Sequence, residues 1–421
     1  MTQPRLRVLV SAFACSPFRG SEPGIGWNIV TRLANHHDVT VLVGDLRKDC
    51  VCKKELDKWL ARNGPIPHLS FHHVGPDRAI LFLERLHKIP GLWPLYYHAY
   101  KIWQKRAFMV ASRLHAAKPF DAVHQLTILS YREPGYLWRL GVPFFWGPIS
   151  GTDNIPTAFY SSLFSEEWGR MPLRDVLNRL QLRTTRRSIK AAKAAKLVFG
   201  VSPTDLQFLH ERCGATAKQL CDTGTEISNR FRPRTRSASE PLRLIWSGAH
   251  VARKALPLLL CALARLPPSS QWQLEILGTG PLTKEWKLAA ARLGIGQRSI
   301  LWAGGLTKES ALQRMQQAHA LVHTGVKEAT TTVIMEALSF GLPVLCHDIS
   351  GMGIVVTDGC GAKIPLVDPE RSIAGFAKAI QLLIDEPDLL VRLSEGALMR
   401  AADFTWDRLA ENISNAYSET F

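Results

Sequence analysis

The sequence predicts an α/β protein built of two doubly wound, Rossmann-like domains with a cleft between them. Three observations carry this. At 421 residues the chain is longer than one hydrophobic core usually serves. Short apolar, β-branched runs alternate with helical segments, the pattern of a parallel sheet covered on both faces. The alternation stops at residues 230–241, a polar stretch with two prolines, and then restarts.

In the first half, strands are expected at 5–13, 38–44, 69–74, 122–126, 143–147 and 197–202, with a helix at 24–33. Residues 79–115 are rich in Trp, Tyr, Phe and Leu but are broken by charges and Pro90, and no window reaches the roughly 18 clean apolar residues of a spanning helix. They read as a buried helical hairpin or as an amphipathic surface. In the second half, strands are expected at 242–248, 272–278, 299–305, 319–325, 343–348 and 362–366, with helices near 255–266, 283–293, 308–317 and 332–340. Helices at 371–382, 387–401 and 404–417 close the chain. The expected domains are 1–235 and 236–400, with a last helical segment, 401–421, packing back on the first.

Composition narrows the function classes. An apolar fraction of 46% and 21% charged residues exclude disorder and fibrous folds. Eight cysteines with no CxxC pair do not make a disulfide framework and read as reducing, cytoplasmic chemistry. The opening runs directly into a strand without the pattern of a secretory leader. The net charge of +16 lies entirely in the first 240 residues, where 35 basic residues face 19 acidic ones; the remainder holds 17 of each. Residues 170–196 carry nine basic residues and one acid, Asp175. Anionic lipid, a phosphorylated acceptor and nucleic acid all suit such a half. No aromatic RNP-like phrase or helix-turn-helix supports nucleic acid. Within the basic run Leu173, Leu177 and Leu180 recur at helical spacing, and Trp93, Tyr96, Tyr97, Tyr100 and Trp103 offer interfacial aromatics. These features point to an anionic membrane surface on the cytoplasmic side, or else to a solvated helix and short linker with the aromatics in the core.

The strongest local signal is Lys327-Glu328-Ala329-Thr330-Thr331-Thr332 followed by Val333-Ile334-Met335-Glu336 and, at the helix end, Gly341-Leu342-Pro343. It places three threonines at a helix start, where N–H groups lack intrahelical partners and the dipole favours an anion such as a diphosphate. Glu328 precedes the helix; Glu336 follows eight residues later, about two turns on and near the same face.

This block resembles the EX7E motif of retaining GT-B glycosyltransferases of family four, and 11–30 resembles the opening of members that build bacterial polysaccharides. The resemblance covers nearly the whole chain and implies transfer of a sugar from a nucleotide diphosphate sugar, without a metal, to a glycan or lipid-linked acceptor. A soluble enzyme with a small-molecule acceptor is the alternative. The resemblance assigns Glu328 to the donor sugar, the backbone of 329–332, with Thr330, Thr331 and Thr332, to the diphosphate, and Glu336 to the ribose. It makes the first domain the acceptor side and the second the donor side.

The family's Gly-Arg-Leu-x-x-x-Lys-Gly-like segment corresponds to residues 248–255. Lys254 falls on its lysine, but Ala249 stands where the arginine belongs, leaving Arg253 or His250 to supply that charge. Gly278 and Gly280, ending a strand, are expected beside the nucleotide, and Gly24 and Gly26 in a loop over the phosphates. Glu22 is read as an acceptor ligand or a turn stabiliser. The family's His-x-His phrase, whose second histidine touches the reacting sugar, has His124 first but Leu126 second here, so His124 is read as a donor contact from a shifted position or as a structural histidine bonded to a backbone carbonyl. No Asp-x-Asp occurs, and the scattered cysteines and paired histidines make no metal site, so neither a metal nor another cofactor is expected.

Overall fold

The computed structural model describes residues 4–89, 91–160, 171–228, 230–295 and 299–421. Arg170, the first residue of the basic run, lies outside them. The chain forms two compact units. One comprises Met1–Thr152, Arg183–Gly224 and Trp406–Phe421; the other comprises Asp153–Leu182 and Thr225–Thr405.

The first unit is built on seven strands: β1 (Arg7–Ala12), β2 (Asp38–Gly44), β3 (Leu69–Val74), β4 (Ala122–Thr127), β5 (Phe144–Ile149), β6 (Leu197–Gly200) and β7 (Ala217–Gln219). Their order is β3-β2-β1-β4-β5-β6-β7, every pair parallel. Val8, Val10, Val39 and Val41 are buried with Ile25 and Ile29 of the helix Ser21–Leu33. Trp406, Leu409, Ile413 and Tyr417, from the helix Trp406–Ser418, join the same core. Asp407 pairs with Arg32, and Ser414 bonds His37 at 2.8 Å.

The second unit has six strands: β8 (Leu242–Ser247), β9 (Trp272–Leu277), β10 (Ile300–Gly304), β11 (Ala320–His323), β12 (Val344–His347) and β13 (Gly361–Ile364). Their order is β10-β9-β8-β11-β12-β13, again parallel throughout. The order reverses between β8 and β11. Such a switch point leaves a crevice at the carboxyl ends of the two strands, where open α/β sheets bind ligands.

Two expectations need correction. Residues 153–182 and 225–235 belong to the second unit, not the first. Ile155 and Phe159 enter its core with Leu242 and Trp246, and buried Asp175 accepts hydrogen bonds from Ile155 N (2.9 Å), Tyr160 Oη (2.9 Å) and Lys327 Nζ (2.7 Å). The aromatic stretch divides into helices Arg78–Leu86 and Leu95–Ala117, and part of its proposed interfacial set is core. Tyr100 and Trp103 are fully buried against Phe13, and Trp103 Nε1 donates to Val74 O at 2.7 Å. Trp93 and Tyr97 remain exposed.

Candidate active site

The loops after β8 and β11 meet at the switch point of the second unit. After β8 the chain turns through Ala252–Lys254, and Ala255 adopts a left-handed conformation (φ 47°, ψ 38°) before the next helix begins. Val326 N donates to Arg253 O (2.9 Å), Thr324 Oγ1 donates to Lys254 O (2.8 Å), and Trp246 Nε1 donates to Thr324 Oγ1 (3.0 Å). These bonds fix Arg253 and Lys254 against the loop that carries Glu328.

The side chains then converge. Glu328 Oε1 accepts from Lys254 Nζ at 2.9 Å and from Arg253 Nη1. The Lys254 and Glu328 side chains are only 10% and 7% exposed. Burial pulls the Lys254 ammonium below its ordinary pKa, and Glu328 partly offsets that. One carboxylate thus holds two cations, leaving a net positive corner between the loops that follow β8 and β11.

Gly325 leaves room for this arrangement: a Cβ there would stand 2.8 Å from Glu328 Cγ and 2.9 Å from His323 Nε2. His323 ends β11 fully buried, with neither ring nitrogen hydrogen-bonded among the described residues. Burial, with Lys254, His347 and Arg253 nearby, holds it well below the usual histidine range, so it is neutral.

Beyond Glu328 the helix Thr332–Ser339 begins. Thr331 occupies the preceding position but caps nothing, and its buried hydroxyl has no partner among the described residues. Thr330 is buried beside it. Glu336 is half-buried, and burial raises its pKa. Gly278 (φ 111°) and Gly280 end β9 in a loop pressed onto the β8 loop: a Cβ would lie 2.0 Å from Gly248 O or 2.5 Å from His250 O. Their lack of a side chain is therefore needed for packing.

Of the two candidates for the missing arginine's charge, Arg253 reaches Glu328, whereas His250 bonds Thr283 Oγ1 at 2.8 Å and lies against Trp286. Burial and Lys287 push His250 down to about 4, which keeps it uncharged at neutral pH.

The remaining expected residues lie in the first unit. Gly24 and Gly26 allow the helix Ser21–Leu33 to approach the preceding loop, since a Cβ would stand 2.4 Å from Arg19 O or 2.2 Å from Ala14 O. Glu22 Oε1 accepts from Leu129 N, in the loop after β4, at 2.7 Å. His124 is fully buried, with Nδ1 on Tyr417 Oη and Nε2 on Gly147 O at 2.8 Å. Both nitrogens are engaged, so the ring presents none to a sugar here. Sequence reasoning missed His323 and Gly325, which the phrase HTG at a strand end could have signalled. Among the described residues no three His, Cys, Asp or Glu side chains gather as a metal site.

Residues 228–399 match the family model described as Glycosyl transferases group 1. The D-inositol 3-phosphate glycosyltransferase of Streptomyces bingchenggensis (strain BCW-1) is 29% identical over 211 residues, covering 45% of each chain; the match spans less than half that relative's length. Two solved structures match over nearly the whole chain. A sucrose-phosphate synthase from Thermosynechococcus elongatus superposes with a TM-score of 0.66 at 17% identity, covering 99% of both chains. HepE from Anabaena, solved in complex with UDP, gives 0.64 at 15% identity, covering 98% of this chain and 100% of that one. The fold is that of the GT-B glycosyltransferases, with two Rossmann-like parallel sheets.

Proposed function

We propose that the chain is a retaining glycosyltransferase that moves a sugar from a nucleotide diphosphate sugar to a hydroxyl of a glycan or lipid-linked acceptor, without a divalent metal. The observation that carries this reading is the Lys254–Glu328–Arg253 cluster at the β8/β11 switch point, directly before the helix Thr332–Ser339. A departing nucleoside diphosphate needs positive charge placed in advance where the glycosidic bond breaks. Lys254, Arg253 and the first-turn N–H groups supply it. The orphan Thr331 hydroxyl adds a donor. Glu336 takes the ribose hydroxyls, and Glu328 orients the donor sugar while holding both cations.

The reaction proceeds by front-face substitution. The bond between the anomeric carbon and the β-phosphate oxygen breaks, and the acceptor oxygen bonds to the same face. The acceptor proton passes to the departing phosphate oxygen. Glu328, already bonded to two cations, is poorly disposed to act as the nucleophile that a double displacement requires.

A second reading, transfer to a small-molecule acceptor, is favoured by the match to a D-inositol 3-phosphate glycosyltransferase. Proton NMR of the reaction with a chelator present tests the proposal. A product with the donor's anomeric configuration is expected. Inversion, or full loss of activity on chelation that magnesium restores, would overturn it.

A further inference from the structure

The helix Met171–Thr184 is buried the wrong way round for a helix of a soluble fold. Its inward edge is polar. Asp175 and Asn178 are each 1% exposed. Asp175 is held by Lys327, Tyr160 and the backbone of Ile155, and Asn178 Nδ2 donates to Asn154 Oδ1 at 3.0 Å. Its outward edge is apolar: Leu173, Val176, Leu177 and Leu180 are between 41% and 65% exposed. Their spacing of three, four and seven residues makes one stripe about 100° wide. Exposed Arg174 flanks it on one side and exposed Arg179 and Arg183 on the other.

Along residues 171–196 the exposed charge is of one sign. In residues 171–196 the only acid is Asp175, and it faces inward.

We propose that this helix is a docking surface for an anionic lipid bilayer, lying in the interface with its leucines among the acyl chains and its arginines at the headgroups. An apolar stripe rimmed by arginines fits that environment, and anionic headgroups complement the arginines. A second copy of this chain fits less well, because a symmetric pairing through the stripe would bring arginine rims together without an exposed acid on the helix to balance them. The proposal stands independently of the donor chemistry.

Flotation of the full chain with vesicles is the test, using phosphatidylcholine alone and phosphatidylcholine mixed with phosphatidylglycerol, at low and high salt. Binding is expected to require the anionic lipid and to weaken with salt. Leu173→Ser/Leu177→Ser/Leu180→Ser should reduce partition at least about tenfold at unchanged thermal stability, since each leucine loses its apolar burial. Arg174→Gln/Arg179→Gln/Arg183→Gln should reduce it by about tenfold or more, and only on anionic vesicles. No binding of the wild type to anionic vesicles at low salt would overturn the proposal, as would equal binding by the serine variant. A dimer in sedimentation that the serine variant converts to monomer would assign the stripe to self-association instead.

Discussion

Lys254 Nζ lies 2.9 Å from Glu328 Oε1, and Arg253 bonds the same oxygen. A single buried carboxylate therefore ties the turn after β8 to the loop after β11. Removing Glu328 leaves the buried Lys254 ammonium without its counter-charge and costs about 3–5 kcal/mol, whereas removing Lys254 leaves Glu328 still paired with Arg253 and costs less, and removing both costs less than the sum. Urea unfolding of Glu328→Ala, Lys254→Ala and the double variant is expected to be non-additive. Additive losses would mean that the two side chains are not coupled. Lys254→Ala should also lower turnover by about 10²–10³, the usual effect of deleting one preorganised stabilising group.

On the proposed function, Glu336 holds the ribose and its loss separates binding from chemistry. Glu336→Ala removes hydrogen bonds that a ribose would make to a charged group, each worth roughly 1.5–3 kcal/mol. Donor KM should rise about 10-fold or more while kcat changes little. A fall in kcat alone, with donor affinity intact, would remove Glu336 from the ribose.

Ala255 sits at φ 47°, where an L side chain costs about 1–2 kcal/mol and glycine does not. Ala255→Gly is expected to raise the unfolding free energy by about 1 kcal/mol, read as a higher Tm. An unchanged or lower Tm would show that the greater freedom of glycine in the unfolded chain cancels the relief.

Acid should destabilise the fold before its carboxylates titrate. Burial pushes His124 and His347 down to about 4 from an ordinary 6.5. Above 6.5 neither the folded nor the unfolded chain protonates them. As pH falls from 6.5 towards 4, the unfolded chain binds protons that the folded chain refuses, so stability declines through that window. The urea midpoint is expected to drop between pH 7 and pH 5; a flat profile would contradict the buried neutral state.

The long strands were legible because their apolar, β-branched runs have no other stable use than a doubly covered sheet. β7 was not: Ala217-Lys218-Gln219 is short and polar, and only its pairing with β6 makes it a strand. The acid-threonine block was legible as a helix start, but its coupling to Lys254 depends on β8 and β11 being neighbours, which no local pattern reveals. His124 was legible only as two alternatives, a donor contact or a structural histidine; Gly147 O and, almost 300 residues later, Tyr417 take its two nitrogens. The helical spacing of the leucines in 171–184 was legible, but not which face of that helix is buried. Three hydrogen-bond donors around Asp175 decide that face.

Calorimetric titration of UDP, GDP and ADP into the wild type, Lys254→Ala and Glu336→Ala tests the central claim, that the second unit holds a nucleoside diphosphate at the Lys254–Glu328 corner. One nucleotide is expected to bind the wild type at one site per chain, without added metal, and to lose at least about tenfold in affinity with each variant. Failure of all three to bind, or binding that survives both substitutions unchanged, would contradict the account.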